Sequence, residues 1–143
     1  MKKAAKKKIT STVAILMGSA SDSKIMQEAV EVLERAGVAC QVLVMSAHRN
    51  PEQVADFAKR AKAAGLKVII AGAGLAAALP GMIAAYTDLP VIGVPLDTGT
   101  LGGLDALLAI AQMPKGVPVA TVGINNAHNA ALLALRILGA ADR

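Results

Sequence analysis

The sequence predicts an α/β fold: three layers, α/β/α, around a five-stranded parallel sheet in the flavodoxin-like order 2-1-3-4-5. Three observations carry this. Apolar, β-prone runs recur at 12–17, 39–45, 67–71, 91–94 and 118–122, with stretches of helical spacing between them. The runs are continuously apolar rather than alternating, the pattern of strands covered by helices on both faces. At 143 residues the chain suits one domain, which at that size buries roughly 70% of the surface its unfolded form exposes.

The first strand, Thr12-Val13-Ala14-Ile15-Leu16-Met17, follows a lysine-rich start, and the pair mimics a signal peptide. The apolar run is about six residues, short of the roughly 7–15 that a signal peptide needs, so a buried strand explains it better. In the helix expected over 23–36, Ile25, Met26, Ala29, Val30, Leu33 and Ala36 share one face, and Gly37 stops it. The second strand contains Cys40 and is expected to be buried. Asn50-Pro51-Glu52 then starts a helix over 51–64, with Asn50 as cap, Pro51 in the first turn and Gly65 as the stop. The third strand, 67–71, is followed by a glycine turn at Gly72 and Gly74. Residues 68–87 lack charge over a length that would span a bilayer, but they are mostly Ala and Gly and are broken by Pro80-Gly81. Helices over 80–87, 103–113 and 126–138 complete the series. These three are apolar around much of their circumference, which predicts a homo-oligomer.

Composition narrows the function classes. Phe57 and Tyr86 are the only aromatics, so single-stranded nucleic acid has no stacking platform. The net charge of +5 comes from Lys2, Lys3, Lys6, Lys7 and Lys8; the other ten basic and ten acidic residues balance. Residues 1–9 are therefore expected to be a basic, flexible tail, and 10–143 a single domain, with no specific nucleic-acid or membrane partner. One cysteine and no spanning segment predict a cytoplasmic protein. No Cys/His set has metal-ligand spacing.

In parallel sheets of this kind ligands sit beyond the carboxyl ends of the strands. The turns there are 18–22, 46–50, 72–80 and 95–102. Gly18-Ser19-Ala20-Ser21-Asp22 offers an open glycine, two hydroxyls and a following helix start, a phosphate cradle if Ser21 or Asp22 does not simply cap the helix. Ser46-Ala47-His48-Arg49-Asn50-Pro51 offers an imidazole that exchanges protons near neutral pH and a guanidinium fork for a phosphate. Gly72-Ala73-Gly74-Leu75-Ala76-Ala77 matches a dinucleotide fingerprint only loosely, being on the third strand, and reads better as a tight, ligand-facing loop. Asp105 caps a helix or orients a neighbour, and His128 belongs to a surface helix.

In order, Met17-Gly18-Ser19-x-Ser21-Asp22, Ser46-Ala47-His48-Arg49-x-Pro51, Ile69-Ile70-Ala71-Gly72-Ala73-Gly74, Leu79-Pro80-Gly81-Met82, Pro90-Val91-x-Gly93-Val94-Pro95 and Gln112-Met113-Pro114-x-Gly116-x-Pro118-Val119 resemble the class I N5-carboxyaminoimidazole ribonucleotide mutases of purine biosynthesis, the PurE family. The resemblance covers about 12–139. It implies a cofactor-free isomerase that moves a carboxylate from N5 to C4 of an aminoimidazole ribonucleotide through CO2, in a homo-oligomer, usually an octamer. Carried over by motif, Ser19, Asp22 and Arg49 hold the ribose phosphate or hydroxyls and Ser46 positions the substrate. Ser21, Ala47, Gly72, Gly74 and Leu79 complete the binding set. His48 is the catalytic proton carrier, and the loop around Gly72 and Gly74 covers the CO2.

The sequence also departs from the family pattern. Leu75 stands where the family has glycine, Ala78 where it has histidine, and Ala106 and Ala109 where it has serines. Family members also usually continue past the position of Arg143. The changes at Leu75 and Ala78 imply weak or lost activity. The alternative is a non-catalytic, self-assembling scaffold, natural or engineered, on the same fold.

Overall fold

The structure, a computed structural model, describes residues 11–141. The basic tail expected over 1–9 lies outside the described residues. The chain runs β1 (Val13–Met17), a 3-10 turn (Ala20–Asp22), α1 (Ser23–Arg35), β2 (Cys40–Val44), α2 (Pro51–Ala61), β3 (Val68–Gly74), α3 (Leu79–Tyr86), β4 (Val91–Leu96), α4 (Leu104–Ala111), β5 (Ala120–Thr121) and α5 (Ala127–Ala141). All strand pairs are parallel, in the order β2-β1-β3-β4-β5. The predicted α/β/α architecture and strand order are those observed.

The two-residue period of a strand divides the core. Val13, Ile15, Met17, Val68 and Ile70 point to one face, where α1 and α5 supply Met26, Leu33, Ala130 and Ala134. Ala14, Leu16, Ile69 and Ala71 point to the other, against Val54 and Ala58 of α2, Ile83 of α3 and Ile110 of α4. Ile15, Leu16, Ile69, Ile70 and Ile92 are wholly buried, and each such side chain contributes about 1.5–3 kcal/mol relative to exposure. A strand buried on both sides has to be apolar at every position, hence the continuous runs. The stops at Gly37 and Gly65 hold as well: their φ values are 72° and 97°, the left-handed region that glycine enters at no steric cost.

The sheet edges correct the expectation of burial. Cys40 is only half-buried, and Val42 and Val44 are 47% and 52% exposed, because β2 is an edge strand. At the other edge β5 shrinks to Ala120–Thr121, opposite Ile92 and Gly93, where 118–122 was expected. Pro118 has no N–H to give a ladder. β3 instead runs further than expected, to Gly74. Among the described residues no helix is long and apolar enough to cross a membrane.

Candidate active site

The register of the sheet assembles the site. Met17 at the end of β1 pairs with both Val44 of β2 and Gly72 of β3. The Met45 N–H adds one further bond to the Met17 carbonyl, at 3.0 Å. The chain therefore leaves β1, β2 and β3 at neighbouring points on one edge, and the turns that follow stand side by side.

In the first turn the expected helix cap is reassigned. Ser19, at φ −147° and ψ 145°, caps the 3-10 turn: its Oγ accepts from the Ser21 N–H at 3.3 Å and lies 2.9 Å from the Ser21 Oγ. Asp22 stands at the start of α1 but makes no capping bond with its side chain, so its carboxylate is not spent on the helix. Burial pushes the Asp22 carboxyl above the usual carboxylate range, against a lowering contribution from the Ser19 backbone amide. Space is open around the α-carbon of Gly18, as an approaching ligand needs.

The second turn is closed on itself. The Ser46 Oγ accepts from the Arg49 N–H at 3.1 Å, and the Ser46 carbonyl from the Asn50 N–H at 2.8 Å. The expected Asn50 cap on α2 does not form; Asn50 Oδ1 instead faces back to the Ser46 N–H at 3.4 Å. Pro51 does open α2. His48 and Arg49 project from this turn and are exposed, while Ser46 and Ala47 behind them are half-buried. The turn's internal bonds fix the backbone from which the imidazole and guanidinium extend.

In the third turn the two glycines have different jobs. Gly72 is buried inside β3, with the Met26 thioether of α1 against its α-carbon, so it serves helix–sheet packing. Gly74 is half-buried at the strand's end. Leu75 and Ala77 follow with φ of 55° and 38°, left-handed values that suit glycine. Leu79 is 2% exposed at the first position of α3, with its side chain in the core.

A fourth turn, after β4, joins these three. Thr98 lies directly against the α-carbon of Gly74, and a β-carbon at Gly74 would meet the Thr98 side chain. Sequence reasoning marked the 95–102 turn but not Thr98. The one signal, a small residue just beyond a strand end opposite a glycine, becomes visible only once Gly74 and Leu96 are known to pair. His128 is exposed on α5, and Asp105 accepts from the adjacent Ala106 N–H at 2.9 Å.

The surface hollows do not centre on this edge, and two lie at the opposite end of the sheet, before β4 and β5. One of about 300 Å³ sits between β2 and α2, lined by Leu43, Met45, Phe57 and Leu66, and holds none of the predicted site residues. Another of about 520 Å³ is open and includes Arg49 with Asn50, Pro51, Glu52 and Gln53. The geometry counts for more here than the concavity: a hydroxyl pair, a carboxylate, an imidazole and a guanidinium stand in the turns after two adjacent strands, beside the glycine turn of a third.

Comparison with known proteins agrees with this fold. The N5-carboxyaminoimidazole ribonucleotide mutase of Pyrococcus horikoshii is 60% identical over 127 residues, covering 89% of this chain and 72% of that protein. The mutase of the same name from Thermotoga maritima is 58% identical over 127 residues, covering 89% and 74%. The phosphoribosylaminoimidazole carboxylase of Candida albicans is 56% identical over 130 residues, 91% of this chain but 23% of that protein. The crystal structure of Treponema denticola PurE superposes with a TM-score of 0.76 at 32% identity, covering 89% of this chain and 79% of that one. The sequence profile described as AIR carboxylase matches residues 12–143, and the chain belongs to the AIR carboxylase family.

Proposed function

We propose that this chain acts on an aminoimidazole ribonucleotide as a mutase, shifting a carboxylate from the exocyclic N5 to the ring carbon C4. The pairing of Met17 with both Val44 and Gly72 carries this reading, because it sets the hydroxyl, imidazole and glycine turns side by side. Arg49 and the Ser19–Ser21 hydroxyls bind the phosphate, with charge-assisted hydrogen bonds supplying the larger share. Asp22 takes ribose hydroxyls. Ser46 and Ala47 hold the turn against the substrate, and the backbones of Gly74 and Leu79 line the reacting end. Gly72 supports that end from below through Met26.

The N5–carboxylate bond breaks and releases CO2, and His48 gives its proton to N5. C4 then attacks the retained CO2, and His48 recovers a proton from C4. The sum is an isomerisation that needs no redox partner. An imidazole that gives a proton and then recovers one, held on a turn closed by its own hydrogen bonds, suits both transfers. Leu75 and Ala78 impair the reaction: Leu75 adds an isobutyl group to a left-handed loop position, and Ala78 brings no polar group to it. The exposed Leu101, Leu104 and Leu108 support assembly into a homo-oligomer, an octamer in the reading by resemblance.

The test is calorimetric binding of aminoimidazole ribonucleotide to the purified chain and to Arg49→Ala, alongside turnover of the N5-carboxylated form. Binding that Arg49→Ala weakens, with slow turnover, supports the reading. No binding by either protein favours the second reading, a non-catalytic scaffold, for which the strained Leu75 and the exposed leucines speak.

A further inference from the structure

The β5–α5 turn, which carries none of the site residues, is tied to the site by a chain of contacts. Its Asn125 adopts φ 61° and makes two bonds to the end of β4. Its N–H donates to the Pro95 carbonyl at 2.8 Å, and its Oδ1 accepts from the Asp97 N–H at 3.1 Å. β5 has already stopped at Thr121, so Asn125 takes the place of the missing strand. Asn is among the few residues other than glycine that visit this backbone region readily, and its amide oxygen reaches a neighbouring N–H.

These bonds hold Asp97, the residue before Thr98, and Thr98 lies on Gly74. A second contact locks the same turn, since the Ile124 side chain meets the α-carbon of Gly103, whose φ is 91°. We propose that Asn125 is a positioning residue for the site: through Asp97 and Thr98 it sets the Gly74–Ala78 loop. The proposal rests on the reading that this loop lines the substrate. Asn125 acts from outside the site and touches no reacting atom.

Amide hydrogen exchange of the ligand-free full chain tests it, with Ala77 as reporter, because its N–H donates to the Gly74 carbonyl at 3.0 Å. Asn125→Gly keeps the backbone conformation and removes the acceptor. It should speed exchange about fivefold both at 97–99 and at Ala77, the scale of one lost hydrogen bond. The pair Asn125→Asp with Asp97→Asn restores an acceptor at unchanged net charge and should return both to the parent rate. Thr98→Ala leaves the Asn125 bonds intact and should speed Ala77 alone, which keeps the test informative if Asn125→Gly does not fold. Faster exchange confined to 97–99 in Asn125→Gly, or no change at Ala77 in Thr98→Ala, overturns the proposal.

Affinity for aminoimidazole ribonucleotide gives a second reading. Asn125→Gly should bind about fivefold more weakly than the parent, and the swapped pair equally well. Equal binding by parent and Asn125→Gly overturns the positioning role. If exchange responds as expected but no protein binds, the proposed function fails and the mechanical coupling stands.

Discussion

The Leu75 side chain lies over the α-carbon of Gly99, so that a β-carbon there would stand 2.6 Å from Leu75 Cδ2. One residue earlier on each segment the relation is reversed, with Thr98 over Gly74. The β3–α3 and β4–α4 turns therefore clasp each other, each giving one side chain and one glycine. Gly99 has φ 85° as well, so two separate constraints select glycine there.

The first prediction separates those constraints. Gly99→Ala should destabilise the fold by about 1–2 kcal/mol, mostly from the left-handed backbone. Leu75 is 52% exposed and its methyl end is free to turn away, so the steric share is small. Repeating Gly99→Ala in a Leu75→Gly background should recover only about 0.5 kcal/mol, the low end of coupling between residues in contact. Urea denaturation of the four proteins measures it. Full recovery in the double variant would show that the Leu75 contact, and not φ, sets the cost.

Activity should respond to the same loop. Leu75→Gly removes a side chain from a position at φ 55°, and Ala78→His adds an imidazole at the loop's end. Together they should raise turnover about 10²–10³-fold, the usual worth of one positioned polar group in a site. Adding His48→Asn should lower it again by about 10²–10⁴-fold, the share of general acid–base catalysis. Equal rates for the unmodified chain and the double variant would show that Leu75 and Ala78 cost nothing.

Asp22 should trade stability for binding. Burial holds its carboxyl above the ordinary aspartate value, so the folded chain binds that proton more tightly than the unfolded chain. Its contribution is therefore most favourable at acid pH and declines as pH rises through the folded value. Asp22→Asn should remove that decline and leave the protein at least as stable at neutral pH, while weakening ribonucleotide binding. Denaturation at several pH values and calorimetry check the two halves. Lower stability of Asp22→Asn at neutral pH would count against the assignment.

Cys40 should be a slow thiol. It is half-buried on β2, and burial first, then the nearby Glu34 charge, pushes its pKa up. Alkylation near neutral pH should be slower than that of a free cysteine, and Glu34→Gln should quicken it modestly. Labelling at the free-thiol rate in the parent would contradict this. The sequence alone suggested an inert, buried Cys40; the edge position leaves it accessible but poorly ionised.

The strands, helices and strand order were legible because each rests on a local rule. A strand covered on both faces must be apolar throughout, as Val13–Met17 and Val68–Ala71 are, and a chain must turn at residues such as Gly37 and Gly65. Parallel pairing joined by helices then leaves few orders, and the turn residues Ser19, Asp22, Ser46, His48 and Arg49 fall on one edge without further information. The partners of each group belong to tertiary structure. Asn50 turned from α2 back to Ser46, Gly72 proved to lie under Met26, and Asn125 replaced a strand that ended early. Each of these depends on a residue distant in sequence or on a competition between two nearby hydrogen-bond partners. The sequence by itself determined which residues gather at the end of the sheet, since burial and period are local properties of the chain. Only the tertiary structure decided what stands beside each of them, because that space is occupied or left open by side chains from other elements.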